Sequence, residues 1–447
     1  DGSGFLTVTS KETGAVDVVR GVERLEFDDG HLAVSSDVSV TDGQSSLTLI
    51  GSEGDDVLVG SDGRDIIKGL SGDDTLDGGP GLNLLTGGPG DDVLIADTAV
   101  GFMSLNDRIF DGYLFEAENS NLTTADYGDA TGSITVTLSS ESSVVGDVSV
   151  GDDTLIGIER IIGSDFADNF SAETDFSGTF TLFNEFEGGG GDDLISGNGE
   201  TRISYLNADA GVLVDLRAGI AHGLDDDDAA GIGIDTLENG VGSIQGSRFD
   251  DVLLGPGAVI RGGLGNDHIE AERVDYRNSP EGVHVDLYRG QAEDGFGGTD
   301  TIVNIERVTG SDIGDDVLIG NASSNDLDGL GGDDLLIGGS GGDTYVLSRG
   351  DDTIQGYKAG DQIVLSDDLV AAGLSRDAVV VERTTIEGKE AAFLRFEIAG
   401  EAFTTTVVGV SDAIEPIVSE EPNLDGNDSV NGGAQADSLD GGAGADE

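Results

Sequence analysis

Large aliphatic residues return at every ninth position between residues 51 and 95, and the polar residues keep the same step. Read in nines, the stretch is GSEGDDVLV, GSDGRDIIK, GLSGDDTLD, GGPGLNLLT and GGPGDDVLI. The eighth position is Leu58, Ile67, Leu76, Leu85, Leu94, and the sixth is Asp56, Asp65, Asp74, Asn83, Asp92. The triplet around each eighth position predicts a very short strand, its middle side chain pointing opposite to its neighbours. Glycines at the first, second and fourth positions permit positive φ and a tight turn with exposed backbone. Two turns and two triplets make one coil of eighteen residues, and successive coils stack about 4.8 Å apart. The eighth-position side chains then form a thin inner ladder, which makes the fold all-β.

The same frame returns with Asp316, Asn325, Asp334, Asp343, Asp352 and Asp361, and begins a third time at Asp428, Asp437 and Asp446. Single matches stand at Asp193 (GGGGDDLIS) and Asp267 (GGLGNDHIE). Aspartate beside glycine makes turns anywhere, but a turn alone does not require an acid at a fixed ninth spacing. An exposed turn offers carbonyl oxygens, and the sixth-position acid adds a carboxylate. Such oxygen-only ligands, without Cys or a His cluster, suit calcium over zinc or copper. Stacking sets equivalent turns side by side, so one ion is expected between a turn and the next but one. The fifth position is expected to face solvent.

These nonapeptides resemble the G-G-x-G-x-D-x-U-x unit of the RTX (repeats-in-toxin) proteins, a repeat known to bind calcium. The resemblance rests on Gly54, Gly63, Gly72, Gly90, Gly332, Gly341 and Gly350 at the fourth position together with the sixth-position acids. It implies a right-handed parallel β-roll or β-helix solenoid carrying several Ca2+ ions. It also implies export, unfolded, through a Gram-negative type I secretion channel, with folding outside the cell.

A longer repeat lies between the nonapeptide runs. Each copy has a Tyr (Tyr127, Tyr205, Tyr276), a strand (ITVTL, VLVDL, VHVDL) and a D-T-[LI] segment, followed by a Gly-Ser pair and a closing acid at Asp168, Asp251 or Asp316. It resembles the spacer that alternates with nonapeptides in large RTX proteins, and predicts wider coils that continue the solenoid, the Tyr capping the inner column. The expected order is a β-rich partial spacer (1–50), a first block (51–95), an insertion (96–126) and spacers with scattered repeats (127–310). A second block (311–364), a β-hairpin cap (365–415), a linker (416–424) and a truncated third block (425–447) follow. The insertion spaces Phe102, Leu105, Ile109, Phe110, Leu114 and Phe115 close to a helical period. A helical turn is expected at 369–374. The expected metal ligands are the sixth-position residues of all three blocks, with Asp168, Asp193, Asp251 and Asp267.

Charge sharpens the picture. Against 21 Lys+Arg stand 89 Asp+Glu, a net charge of -68. Such a chain repels itself until cations neutralise it, so binding and folding are expected to be one step. Nucleic acid and anionic lipid need basic patches and are poor partners. With no Cys, metal rather than disulfide must do the cross-linking, and no apolar run is long enough to span a membrane. The sequence opens mid-pattern and closes mid-repeat, as expected of a window from a longer protein.

No H-E-x-x-H, G-x-S-x-G or Cys nucleophile is present, and His31, His222, His268 and His284 form no catalytic pattern. The expected role is therefore non-enzymatic: a calcium-dependent structural segment of a large secreted or cell-surface protein, such as an adhesin, matrix or surface-assembly component. Surface glycans or further copies of the chain are its candidate partners beyond calcium. The alternative is an accessory region of a secreted enzyme acting on polysaccharide, lipid or protein, with catalysis elsewhere.

Overall fold

The structure, a computed structural model, describes residues 6–9, 16–19, 25–27, 30–41 and 44–409, except 62, 97–122, 177–182, 226–227, 367–368, 371, 376–377, 387–388 and 399. The helix-spaced part of the insertion, the linker and the third block with Asp428, Asp437 and Asp446 lie outside these residues. Two compact units divide the chain. One holds the described residues through Val274 with Phe296–Ile305; the other holds Asp275–Gly295 and the described residues from Glu306 on.

In the first unit the strands Val57–Val59, Thr75–Asp77 and Val93–Ile95 pair in parallel, as do Ile66–Lys68 and Leu84–Thr86. Each partner lies eighteen residues on, so one coil is two nonapeptides. Leu58, Leu76 and Leu94 stack in one column, and Leu49, Ile67 and Leu85 in another. All six are buried, while Val57 and Val59 beside them are 67% and 57% exposed. One such side chain, roughly 1.5–3 kcal/mol of burial, for every nine ordered residues is a thin core. The coils therefore depend on what happens at their corners.

The spacers widen the coil by one reversed strand. Thr135–Leu138, Ser142–Val145 and Asp152–Ile156 run antiparallel in succession. The outer two rejoin the parallel stack, on Asn169–Ala172 and Val93–Ile95 respectively. Val212–Asp215, Ile220–Gly223 and Ile234–Leu237 repeat this arrangement. On the other face the column runs on without reversal through Ala125, Ile161, Phe186, Ile203, Ile244 and Ile260.

In the second unit Leu318, Leu336 and Ile354 form one column, and Val308, Leu327, Tyr345 and Ile363 the other. Leu369 and Val370 lie in a short helical turn. Three antiparallel strands follow, Val380–Ile386, Lys389–Ile398 and Glu401–Val408, where the sequence suggests a hairpin. Gly400, at a φ of 89°, stands at the extra turn. The last strand pairs in parallel with Thr353–Gln355, which covers that edge of the stack. Both units are all-β parallel solenoids of the β-roll kind.

Candidate metal centre

The sixth-position side chains form a ladder along the corners. Asp74 Oδ1 accepts the Asp56 N–H at 2.7 Å, and the Asp74 N–H donates to Asp92 Oδ1 at 2.8 Å. The same bond joins Asp168 to Asp193 (2.8 Å) and Asp251 to Asp267 (2.9 Å). In the second unit it joins Asp316 to Asp334 (2.8 Å), Asn325 to Asp343 (3.0 Å), Asp334 to Asp352 (3.2 Å) and Asp343 to Asp361 (3.0 Å). Each coil thus uses a side-chain oxygen to satisfy a backbone donor of its neighbour. Asparagine serves this bond as well as aspartate, as when Asn83 Oδ1 accepts the Asp65 N–H at 3.0 Å.

Three members of the ladder were not among the expected ligands. Asp153 accepts from Asp92 (3.0 Å), Asp235 from Asp193 (3.1 Å) and Asp300 from Asp267 (3.0 Å). Their signal was present: D-T-[LI] in the spacers repeats the Asp74-Thr75-Leu76 triplet of the first block.

What the second carboxylate oxygen meets sorts the corners into classes. At Asp74, Asp92, Asp193, Asp334 and Asp352 the Oδ2 atom is buried and meets no hydrogen-bond donor. Each of the first four faces the first-position glycine of its own turn. A Cβ built on Gly69 would lie 2.1 Å from Asp74 Oδ2 and 2.7 Å from the Gly87 carbonyl oxygen. Built on Gly87, Gly188 and Gly329, it would lie 2.1, 2.0 and 2.0 Å from Asp92, Asp193 and Asp334 Oδ2. Glycine leaves a cradle there, lined by oxygen.

Elsewhere the chain supplies its own donor. Ser52 and Ser61 bond Asp56 and Asp65. The Gly-Ser pairs of the spacers do the same, Ser164 for Asp168, Ser247 for Asp251 and Ser311 for Asp316, through both hydroxyl and backbone N–H. Asn83 turns its amide to the Gly79 carbonyl oxygen at 2.8 Å. The Tyr127 and Tyr205 hydroxyls donate to Asp153 and Asp235 Oδ2, both at 2.9 Å. These tyrosines are buried as expected, but they serve the acid ladder rather than end the apolar column.

The fifth-position acids are exposed, yet not idle. The Asp91 N–H donates to Asp73 Oδ1 at 3.0 Å and the Asp351 N–H to Asp333 Oδ1 at 2.8 Å. This outer ladder runs in the opposite sense to the buried one.

Burial, more than neighbouring charge, pushes the inner carboxyls up: Asp74 to about 6, Asp92 and Asp352 to about 7, Asp193 to about 8 and Asp334 to about 9. For Asp352 this corresponds to ionisation opposing the fold by on the order of 4 kcal/mol. A few such corners outweigh the 5–15 kcal/mol typical of a whole domain. A cation bound at the open oxygen would offset this cost. Among the described residues no three His, Cys, Asp or Glu side chains converge, so an ion here would draw most of its ligands from turn carbonyls. One carboxylate and several carbonyls make a hard-oxygen set, which fits calcium.

The comparisons agree with that chemistry. A family model described as the RTX calcium-binding nonapeptide repeat matches residues 50–85, 69–98, 183–200, 311–345, 337–368 and 424–447. No curated protein matches. Among solved structures, the extracellular lipase LipA from Serratia marcescens aligns at 16% identity over 85% of this chain, with a TM-score of 0.20. The chain spans 40% of that lipase's length, and so loose a superposition bears on neither fold nor activity. Coil register, glycine cradles and the family match all concur: this chain carries RTX calcium-binding nonapeptide repeats.

Proposed function

We propose that this chain is a calcium-dependent structural segment of a large secreted or cell-surface bacterial protein, with an adhesive, matrix or surface-assembly role and no catalytic step of its own. The observation that carries this reading is the row of buried, donorless carboxylate oxygens facing glycine cradles at Asp74, Asp92, Asp193 and Asp334. At neutral pH and low calcium the unfolded chain ionises these groups freely while the metal-free fold resists doing so, and a net charge of -68 drives the coils apart. The chain then stays extended, the state a type I channel accepts. Where calcium is plentiful, each ion joins neighbouring turns, and binding and folding become one step. Among the described residues no helix is long and apolar enough to cross a membrane.

Circular dichroism of the purified chain, recorded with calcium and with chelator at neutral pH, tests this. A coil spectrum that turns to β on adding calcium is expected, with no rescue by sodium chloride alone. A β spectrum indifferent to chelator, or one restored by salt, overturns it.

A further inference from the structure

One corner of the second block contains a cation that belongs to the chain. Lys358 Nζ lies 2.9 Å from Asp343 Oδ2 and 2.9 Å from Asp361 Oδ1. Both carboxylate side chains are fully buried, whereas the lysine is 31% exposed, so its ammonium enters from the surface. Asp361 Oδ1 also accepts the Asp343 N–H, and its Oδ2 accepts the Lys358 N–H at 2.9 Å. The Tyr357 hydroxyl donates to the Asp361 carbonyl oxygen at 3.0 Å and fixes the loop that carries the lysine. At Gly338 the same cradle exists as at Gly69: a Cβ there would lie 2.3 Å from Asp343 Oδ2. The oxygen that stands donorless at Asp74, Asp92 and Asp334 therefore meets an ammonium at Asp343.

We propose that Lys358 is a tethered substitute for a divalent ion, so that the Asp343–Asp361 corner is closed to calcium and stays assembled without it. This rests on the reading that open corners take calcium. Two carboxylates sharing one ammonium leave no oxygen for a second cation without expelling the first, and like charge in a buried corner is strongly disfavoured. The sequence assigns Asp343 and Asp361 to calcium with the rest of their frame; the lysine three residues before Asp361 removes them from that set. Asp361 is the last rung of this block's ladder, so the corner gives the end of the block a metal-free foothold on which calcium-loaded coils can build.

Isothermal titration of the full chain with calcium chloride decides the matter. Lys358→Met is expected to bind one more ion than the wild type, and Lys358→Met with Asp343→Asn to lose it again. Asp343→Asn alone is expected to leave the ion count unchanged, whereas Asp334→Asn lowers it; this arm holds even if the lysine variant fails to fold. Hydrogen exchange of the wild type in chelator should show residues 343–347 and 358–365, the strands and loop of the Lys358 corner, protected at least tenfold more than 57–95. An unchanged count in folded Lys358→Met, or a lowered count in Asp343→Asn, overturns the proposal while the calcium reading stands. A wild type that takes up no calcium overturns the reading beneath it.

Discussion

The nonapeptide block of residues 51–95 and the spacer coil of residues 127–172 use the same kind of hydrogen-bonded acid ladder and fill it differently. In the block, Asp74 and Asp92 keep a buried oxygen without a donor. In the spacer, Tyr127 reaches Asp153 and Ser164 reaches Asp168, so the chain brings its own donors. A neutral hydroxyl occupies the carboxylate oxygen but adds no charge, so burial still pushes Asp153 up to about 7 even though its oxygen has a partner. An open carboxylate is unfavourable until a cation arrives. The difference teaches that neighbouring coils with one backbone geometry can answer differently to calcium.

The largest effect that would break this contrast is removal of the metal. With chelator at neutral pH, hydrogen exchange should accelerate by about a hundredfold or more over residues 57–95 and by much less over 134–172. Equal acceleration in both would mean that the donors are irrelevant.

Acid comes next. Asp92, at about 7 in the fold against 3.8 for the ordinary carboxyl, retains its proton in the folded state where the unfolded state has lost it. Metal-free stability is therefore greatest below pH 4 and is lost as pH rises through about 6 to 9, the range of the raised carboxyls. With calcium bound the slope reverses, because protons compete for the same oxygens. Chelated protein melted at pH 5 and pH 8 should be more stable at pH 5; the opposite order would contradict the burial of these groups.

Asp92→Ala removes both the acceptor for the Asp74 N–H and the open oxygen, and should cost about 3 kcal/mol with loss of calcium. Tyr127→Phe, which takes the donor from Asp153 Oδ2, should cost only about 1 kcal/mol and lose no calcium. Paired urea melts and calorimetry on the two variants sharpen the contrast at adjacent rungs.

Glycines give the finest discrimination. Gly69→Ala places a methyl 2.1 Å from Asp74 Oδ2, whereas Gly54→Ala meets nothing within 4 Å. The first should weaken calcium binding at least tenfold; the second should shift stability by no more than about 0.5 kcal/mol. Comparable effects would place the ion elsewhere in the turn.

The nine-residue step made the core columns and corner acids legible before any coordinates, because each coil repeats the same short-range rules. Leu58, Ile67, Leu76, Leu85 and Leu94 all fall in the core. The reversed strands Ser142–Val145 and Ile220–Gly223 were not legible as such. Their sequences alternate like any strand, and only pairing partners fix direction. Asp153 and Asp235 escaped notice for a related reason, since their ladder partners Asp92 and Asp193 lie 61 and 42 residues away.

The sequence by itself determined the period, the oxygen-only chemistry and the abundance of charge that makes a cation necessary, all of them local or compositional properties. Only the tertiary structure decided which carboxylates stay open and which are met by Ser164, Tyr127 or Lys358, because a donor's reach across coils depends on stacking register and not on spacing along the chain.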